Sequence, residues 1–198
     1  MESISESPFA IPFRWKVSAL LVSVVLMVSA FPPLDFGFLA WFALAPIFAV
    51  IVSEPRPRKA FKWAYVFGIL HWGATVIWIS STVNMWTHSN AGWFAWVALT
   101  LLKSLWFGLF GVVGWWAYRK SQYWMRPVAL GCAWCAAEWL RCQTAVAMPW
   151  SLIGYTQYRY LSVIQISDIT GVFGVSFLIA SFNGALAGPI ITRLTKNV

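Results

Sequence analysis

Apolar residues run along this chain in long blocks, each closed by a short cluster of charged, proline or glycine residues. A membrane-spanning helix needs about 20 predominantly apolar residues, roughly 17 at the short end. Six blocks approach that length. They predict spans near residues 16–31, 36–52, 61–80, 92–118, 127–148 and 171–191. The first is short and is extended by Phe13 and Trp15 at the interface. The fourth is long enough to tilt. The fifth starts at Pro127, a favourable first helical residue. The pattern therefore predicts an all-α, polytopic membrane helix bundle. Residues 1–15 read as a loose tail, and residues 16–198 as one multi-pass membrane domain.

Composition agrees with this class. Apolar residues make up 60% of the 198 and charged residues 10%, against about 25% charged in soluble domains. Fifteen Trp and fifteen Phe exceed the needs of a soluble core of this size, but they suit lipid contact and interfacial belts. The first apolar block runs into Phe31-Pro32-Pro33 rather than a small-residue cleavage site, so it reads as a retained helix.

The net charge of +8 would suggest nucleic acid if the cations formed a patch. They do not. Arg14, Lys16, Arg56, Arg58, Lys59, Lys62, Arg119, Lys120, Arg126, Arg193 and Lys196 all fall on one side of the six-span reading. Arg141 and Arg159 fall on the other, and Lys103 lies within a span. Such bias places the basic loops and both termini in the cytoplasm. No nucleic-acid partner is expected.

Glu138 and Arg141 interrupt an apolar helix, and Lys103 interrupts another. Counted from Pro127 at 1.5 Å per residue, Glu138 lies about 16 Å deep, near the middle of a hydrocarbon core of about 30 Å. Counted from the opposite end of its own span, Lys103 reaches a similar depth. The two are expected to form an ion pair, or a triad with Arg141. Such a cluster marks either a site or a helix clamp. After it comes a long outer connection, 149–170, rich in Trp, Tyr and Gln. This reads either as an interfacial re-entrant loop or as a lipid site opening outward.

Other candidates are less specific. Cys132, Cys135 and Cys142 include a C-x-x-C spacing, but no His lies close enough in sequence to complete a metal site. They read as small packing residues. His71 reads as an interhelical hydrogen-bonding residue, and Asn183 likewise. Gly171-x-x-Gly174 and Gly184-x-x-x-Gly188 suggest close helix packing. Neither metal nor cofactor is expected, and no phosphate loop or paired-carboxylate motif is visible. A small transporter using a Lys103–Glu138 relay would be expected to carry inverted repeats, and none is detected.

Several ordered segments resemble the membrane part of the bacterial apolipoprotein N-acyltransferases. They are Phe31-Pro32-Pro33-Leu34-Asp35-Phe36, Leu39-Ala40-Trp41, Leu44-Ala45-Pro46, Gly68 with Trp78, and Ala137-Glu138-Trp139-Leu140-Arg141. Pro149-Trp150, Gly154-Tyr155 and Gln157 follow, then Gln165, Asp168, Gly171, Gly174 and Val175-Ser176-Phe177. Where the family usually has Gly-Phe-Pro-Trp, this chain has Ala147-Met148-Pro149-Trp150, and Lys103 is not part of the family pattern.

The resemblance implies transfer of an acyl chain from a phospholipid to the amino terminus of a diacylglyceryl lipoprotein, in the bacterial cytoplasmic membrane. It places the catalytic Glu, Lys and Cys in a nitrilase-like domain beyond these residues, so no catalytic residue is assigned here. The chain is accordingly expected to be truncated or split and inactive alone, completed by a separate nitrilase-like subunit. A non-catalytic lipid-binding or scaffold protein is the alternative. Glu138, Arg141, Pro149, Trp150, Tyr155 and Gln157 are the residues expected to support the lipid side of the site.

Overall fold

The computed structural model describes residues 11–143 and 147–196. Most of the expected tail, 1–15, lies outside them. The described residues form helices and irregular turns, with no strand among them.

Helix α1, Phe13–Ala30, carries no charged residue after Lys16. A turn through Asp35 (φ 60°) and a 3-10 turn, Gly37–Leu39, lead into α2, Ala40–Ala43, and α3, Ala45–Ser53. The expected second span is thus a broken helix. Pro46 has no N–H and disturbs the preceding turn, and Asn183 bridges the break. Its side-chain oxygen accepts from Leu44 N (2.9 Å) and Ala45 N (2.8 Å). Its amide donates to Ala40 O (3.0 Å) and Ile179 O (2.8 Å). Every residue of α3 except Pro46 is buried.

Helix α4, Pro57–Thr75, starts on a proline at its first turn. The expected third span continues beyond it, but with a bend of 54° into α5, Trp78–Thr87. The bend falls in the β-branched run Thr75-Val76-Ile77. There Thr75 Oγ1 donates to His71 O at 2.7 Å, a back-bond that bends helices. Helix α6, Ala91–Lys120, runs for 30 residues, about 45 Å at the usual rise.

Helix α7 covers Arg126–Cys142. The expected fifth span, 127–148, extends beyond this helix. Its described end is at Cys142, residues 144–146 lie outside the described set, and Ala147–Pro149 is non-helical. A 3-10 turn, Ile153–Gln157, and a short helix α8, Leu161–Ile164, lead to α9, Ser167–Lys196. Gly171, at φ 64° and ψ −172°, kinks α9 where only glycine fits easily. The straight part of α9 follows it.

Among the described residues, three helices are long and apolar enough to cross a membrane: α1, α6 and α9. The bent α4–α5 pair makes a fourth if it counts as one span, while the apolar segment Gly37–Ser53 is shorter. The fold is an all-α membrane helix bundle. Helix α3 lies at its centre, against α1, α4, α6 and α9. Phe48 of α3 meets Phe110 at 5.1 Å and Trp134 at 5.9 Å.

Small residues let the outer helices approach closely, the main device of membrane packing. A Cβ on Gly111 would come 2.6 Å from Ala64 Cβ and 2.7 Å from Ala60 O, across the α4–α6 contact. Gly184 sits against Pro127, with only 3.0 Å between its would-be Cβ and Pro127 Cα. Gly188, expected to share that role, has only Tyr118 Oη within 4 Å, at 3.9 Å.

The basic helix ends gather at one end of the bundle. Lys16 Nζ pairs with Glu54 at 2.5 Å. Trp115 Nε1 and Arg119 Nη2 donate to the Glu54 carbonyl at 2.7 and 2.9 Å. Arg126 lies over the Tyr118 ring at 4.8 Å.

Candidate functional site

The residues singled out in 138–157 come together at the other half of the bundle, where the segment after α7 folds back onto it. Glu138 and Arg141 lie in the last turns of α7, 4% and 2% exposed. Lys103 on α6 is equally buried, at 1%.

Among the described residues, Lys103 and Glu138 make no direct contact within 4.0 Å. Among the described residues the carboxylate–cation contacts within 4.0 Å are Lys16–Glu54 and Arg159–Asp35. Two causes are visible. Helix α7 stops at Cys142, so Glu138 lies one turn from its end instead of mid-helix. Its Oε1 is also engaged elsewhere, accepting the Ile153 N–H at 2.8 Å. Arg141 is the cation facing Glu138, and it faces Lys103 as well. The guanidinium of Arg141 packs over Trp72 at 5.0 Å and Phe107 at 5.8 Å, an arrangement that favours a desolvated cation. Lys103 and Arg141 each have further partners.

The Ile153 amide belongs to the 3-10 turn, whose Ile153, Gly154, Thr156 and Gln157 are buried. Three fastenings hold this turn to the bundle. Glu138 takes Ile153 N–H, and next to it Ser176 Oγ takes Gly154 N–H at 3.0 Å. Gln157 donates to Gly37 O at 2.7 Å and accepts from Trp41 Nε1 at 3.0 Å. At the surface Tyr158 Oη donates to Asp35 at 2.5 Å, and Arg159 reaches the same carboxylate at 2.7 Å. The Tyr158 oxygen and then the Asp35 charge hold the Arg159 guanidinium above its ordinary value. A side chain on Gly37 would strike Thr156 O, so glycine is required there by close approach.

Fastening the backbone leaves an exposed aromatic edge. Trp150 is 43% exposed and Tyr155 46%. Pro149, Tyr158 and Tyr160 lie beside them, with both tyrosines exposed. Trp150 packs on Trp78 of α5, ring centroids 4.8 Å apart. The edge therefore lies beside the bent end of the α4–α5 pair. A cavity of about 10 Å³ opens behind Glu138 and Arg141, walled by Trp106, Phe107, Phe110, Trp134 and Ala137.

Among the expected residues, the structure makes Glu138 and Gln157 fasteners, Trp150 and Tyr155 exposed aromatics, and Arg141 a buried cation on Trp72. Sequence reading missed Trp41, Ser176, Glu54 and the stacking role of His71. That imidazole is fully buried among Phe31, Phe67 and Phe107. Its Nδ1 meets Thr75 Oγ1 in its own helix at 3.4 Å, rather than reaching across helices. Trp41 and Ser176 lie within the quoted motifs, and that was their only signal. The cysteines are free thiols. Cys132 is exposed, and Cys135 Sγ donates to Phe173 O at 2.9 Å. Among the described residues no His, Cys, Asp and Glu converge as a metal site.

Comparison with known proteins matches residues 23–185 to the family model described as apolipoprotein N-acyltransferase N-terminal domain. Proteins named apolipoprotein N-acyltransferase are similar along most of the chain. The one from Geobacter metallireducens is 35% identical over 191 residues, 94% of this chain and 34% of that protein. The one from Methylococcus capsulatus is 31% identical, over 84% of this chain and 33% of that protein. The one from a Nostoc species is 30% identical, over 81% and 34%. The chain thus spans about a third of the length of these curated relatives. With the family model covering most of its residues, the chain belongs to the apolipoprotein N-acyltransferase N-terminal domain family.

Proposed function

We propose that these residues form the membrane part of an enzyme that transfers an acyl chain from a phospholipid to the amino terminus of a diacylglyceryl lipoprotein. The chain contributes the lipid-facing support; the chemistry belongs to a nitrilase-like part that completes it. The observation that carries this reading is the fastened turn at Ile153–Gln157 with its exposed aromatic edge. Glu138 and Gln157 hold the backbone by buried hydrogen bonds. Trp150 and Tyr155 are thereby held outward, where amphipathic rings suit the headgroup layer. Arg141 supports the same region from within.

On this reading the chain is a multi-pass protein of the bacterial cytoplasmic membrane with its basic end inside. The charge bias supports that orientation, as does the gathering of Lys16, Arg119 and Arg126 at one end. Six crossings follow if Gly37–Ser53, the α4–α5 pair and α7 each traverse.

The test is a replacement experiment. The corresponding third of the Geobacter metallireducens relative is exchanged for this chain, and N-acylation of a diacylglyceryl lipoprotein is followed by mass spectrometry. Acylation by the exchanged protein is expected, with a several-fold loss when Trp150→Ala is introduced. A correctly inserted exchanged protein without acylation would refute the reading.

A further inference from the structure

At the basic end of the bundle a groove of about 270 Å³ runs along one stripe of α4, lined by Lys59, Lys62, Trp63 and Val66. These are positions i, i+3, i+4 and i+7, neighbours on one helix face. The stripe is graded. The two lysines lie in the first two turns after Pro57, Trp63 comes next, and Val66, 40% exposed, lies deeper. Phe13 of α1 packs on Trp63 with ring centroids 6.0 Å apart. The groove therefore has a cationic mouth and an apolar floor.

The charges at that mouth are not balanced by the described carboxylates, which are Asp35, Glu54, Glu138 and Asp168. Asp35 is bound to Arg159, and Glu54, 1% exposed, is bound to Lys16. Glu138 is buried in the other half of the bundle, where it accepts the Ile153 amide. Asp168 opens α9, whose opposite end is the basic one. Among the described residues, no carboxylate lies within 4.0 Å of Lys59 or Lys62.

We propose that this groove binds one anionic phospholipid of the leaflet at the basic end. Its headgroup phosphate sits between Lys59 and Lys62, and one acyl chain lies along Trp63 and Val66. A soluble anion would use the mouth only. The apolar floor, continued one turn further by the 38% exposed Leu70, fits a ligand carrying both a phosphate and a hydrocarbon chain. Basic pockets at the cytoplasmic ends of spans are known to take such headgroups. This site is separate from the aromatic edge around Trp150, which lies at the other end of the bundle.

The test uses the 198-residue chain in discs of phosphatidylcholine with a minority of phosphatidylglycerol. Retained lipid is read by native mass spectrometry after release into detergent, and helix content is checked by circular dichroism. Preferential retention of phosphatidylglycerol is expected. The K59Q/K62Q variant should lower it about thirty-fold, the weight of two lysines at an anionic surface. Val66→Trp, which fills the floor and keeps both charges, should also lower it. Lys120→Gln, which removes a cation outside the groove, should not. Equal retention by wild type and K59Q/K62Q would overturn the proposal. So would an equal loss with Lys120→Gln, or full displacement of the lipid by inorganic phosphate.

Discussion

Replacing Asn183 by Leu tests how the chain tolerates a broken helix at its centre. Asn183 is fully buried. Its four hydrogen bonds, at 2.8–3.0 Å, reach Leu44 N, Ala45 N, Ala40 O and Ile179 O. Leu removes all four at similar size. Hydrogen bonds between membrane helices average about 0.6 kcal/mol each by double-mutant cycles, which sets a lower figure of about 2 kcal/mol. The Leu44 and Ala45 amides would also be orphaned, and a buried unsatisfied group costs about 1–3 kcal/mol, which sets an upper figure of about 6 kcal/mol. Asn183→Leu should therefore lose about 2–6 kcal/mol. Asn183→Asp, which keeps an acceptor for both amides, should lose less. The assay is reversible unfolding in mixed micelles, followed by helix signal against denaturing detergent. A loss under about 0.5 kcal/mol for Asn183→Leu, less than one membrane hydrogen bond, would refute the claim that this side chain bridges the break.

Other consequences follow from the same contacts. Gly111→Val places a side chain where even a Cβ would come 2.6 Å from Ala64 and 2.7 Å from Ala60 O. Overpacking of this kind costs about 1–3 kcal/mol, and the same unfolding assay should show it, while Gly188→Ala should be neutral. Arg159→Gln removes the exposed partner of Asp35. Exposed pairs contribute little and are screened, so its unfolding midpoint should match wild type in high salt, with any difference confined to low salt.

Helix content and charge bias were legible because both are local. Blocks of apolar residues and the cations between them can be counted without knowing any contact. Helix breaks were not legible. Residues 36–52 and 61–80 are predominantly apolar, so hydropathy passes smoothly over Pro46 and over Thr75-Val76-Ile77. The break at Pro46 depends on a partner, Asn183, far along the chain. A direct Lys103–Glu138 contact is missing within 4.0 Å for a related reason. Equal depth holds for a straight helix reaching Met148, whereas α7 stops at Cys142, and the Ile153 amide then takes the carboxylate. Glu54 gave no signal, since an acid beside Arg56, Arg58 and Lys59 looks like a solvated loop residue. It is buried because Lys16, Trp115 and Arg119 converge on it from two other helices. Glu138, Trp150, Tyr155 and Gln157 are singled out by unusual polarity and by motif resemblance, but their division into fasteners and exposed rings needed the fold.

On the proposed function, the Glu138 carboxylate, by holding the Ile153 amide, would set the lipid-facing edge used in acyl transfer. This role is tested most directly by kcat/KM, with the phospholipid concentration varied, in the exchanged acyltransferase carrying Glu138→Ala or Glu138→Gln. A loss of about ten-fold or more is expected for Glu138→Ala, in line with an orphaned buried amide. It should appear mainly in KM, with most of it recovered in Glu138→Gln, which keeps the acceptor. Wild-type kinetics in Glu138→Ala, or a Gln variant as impaired as the Ala variant, would contradict it.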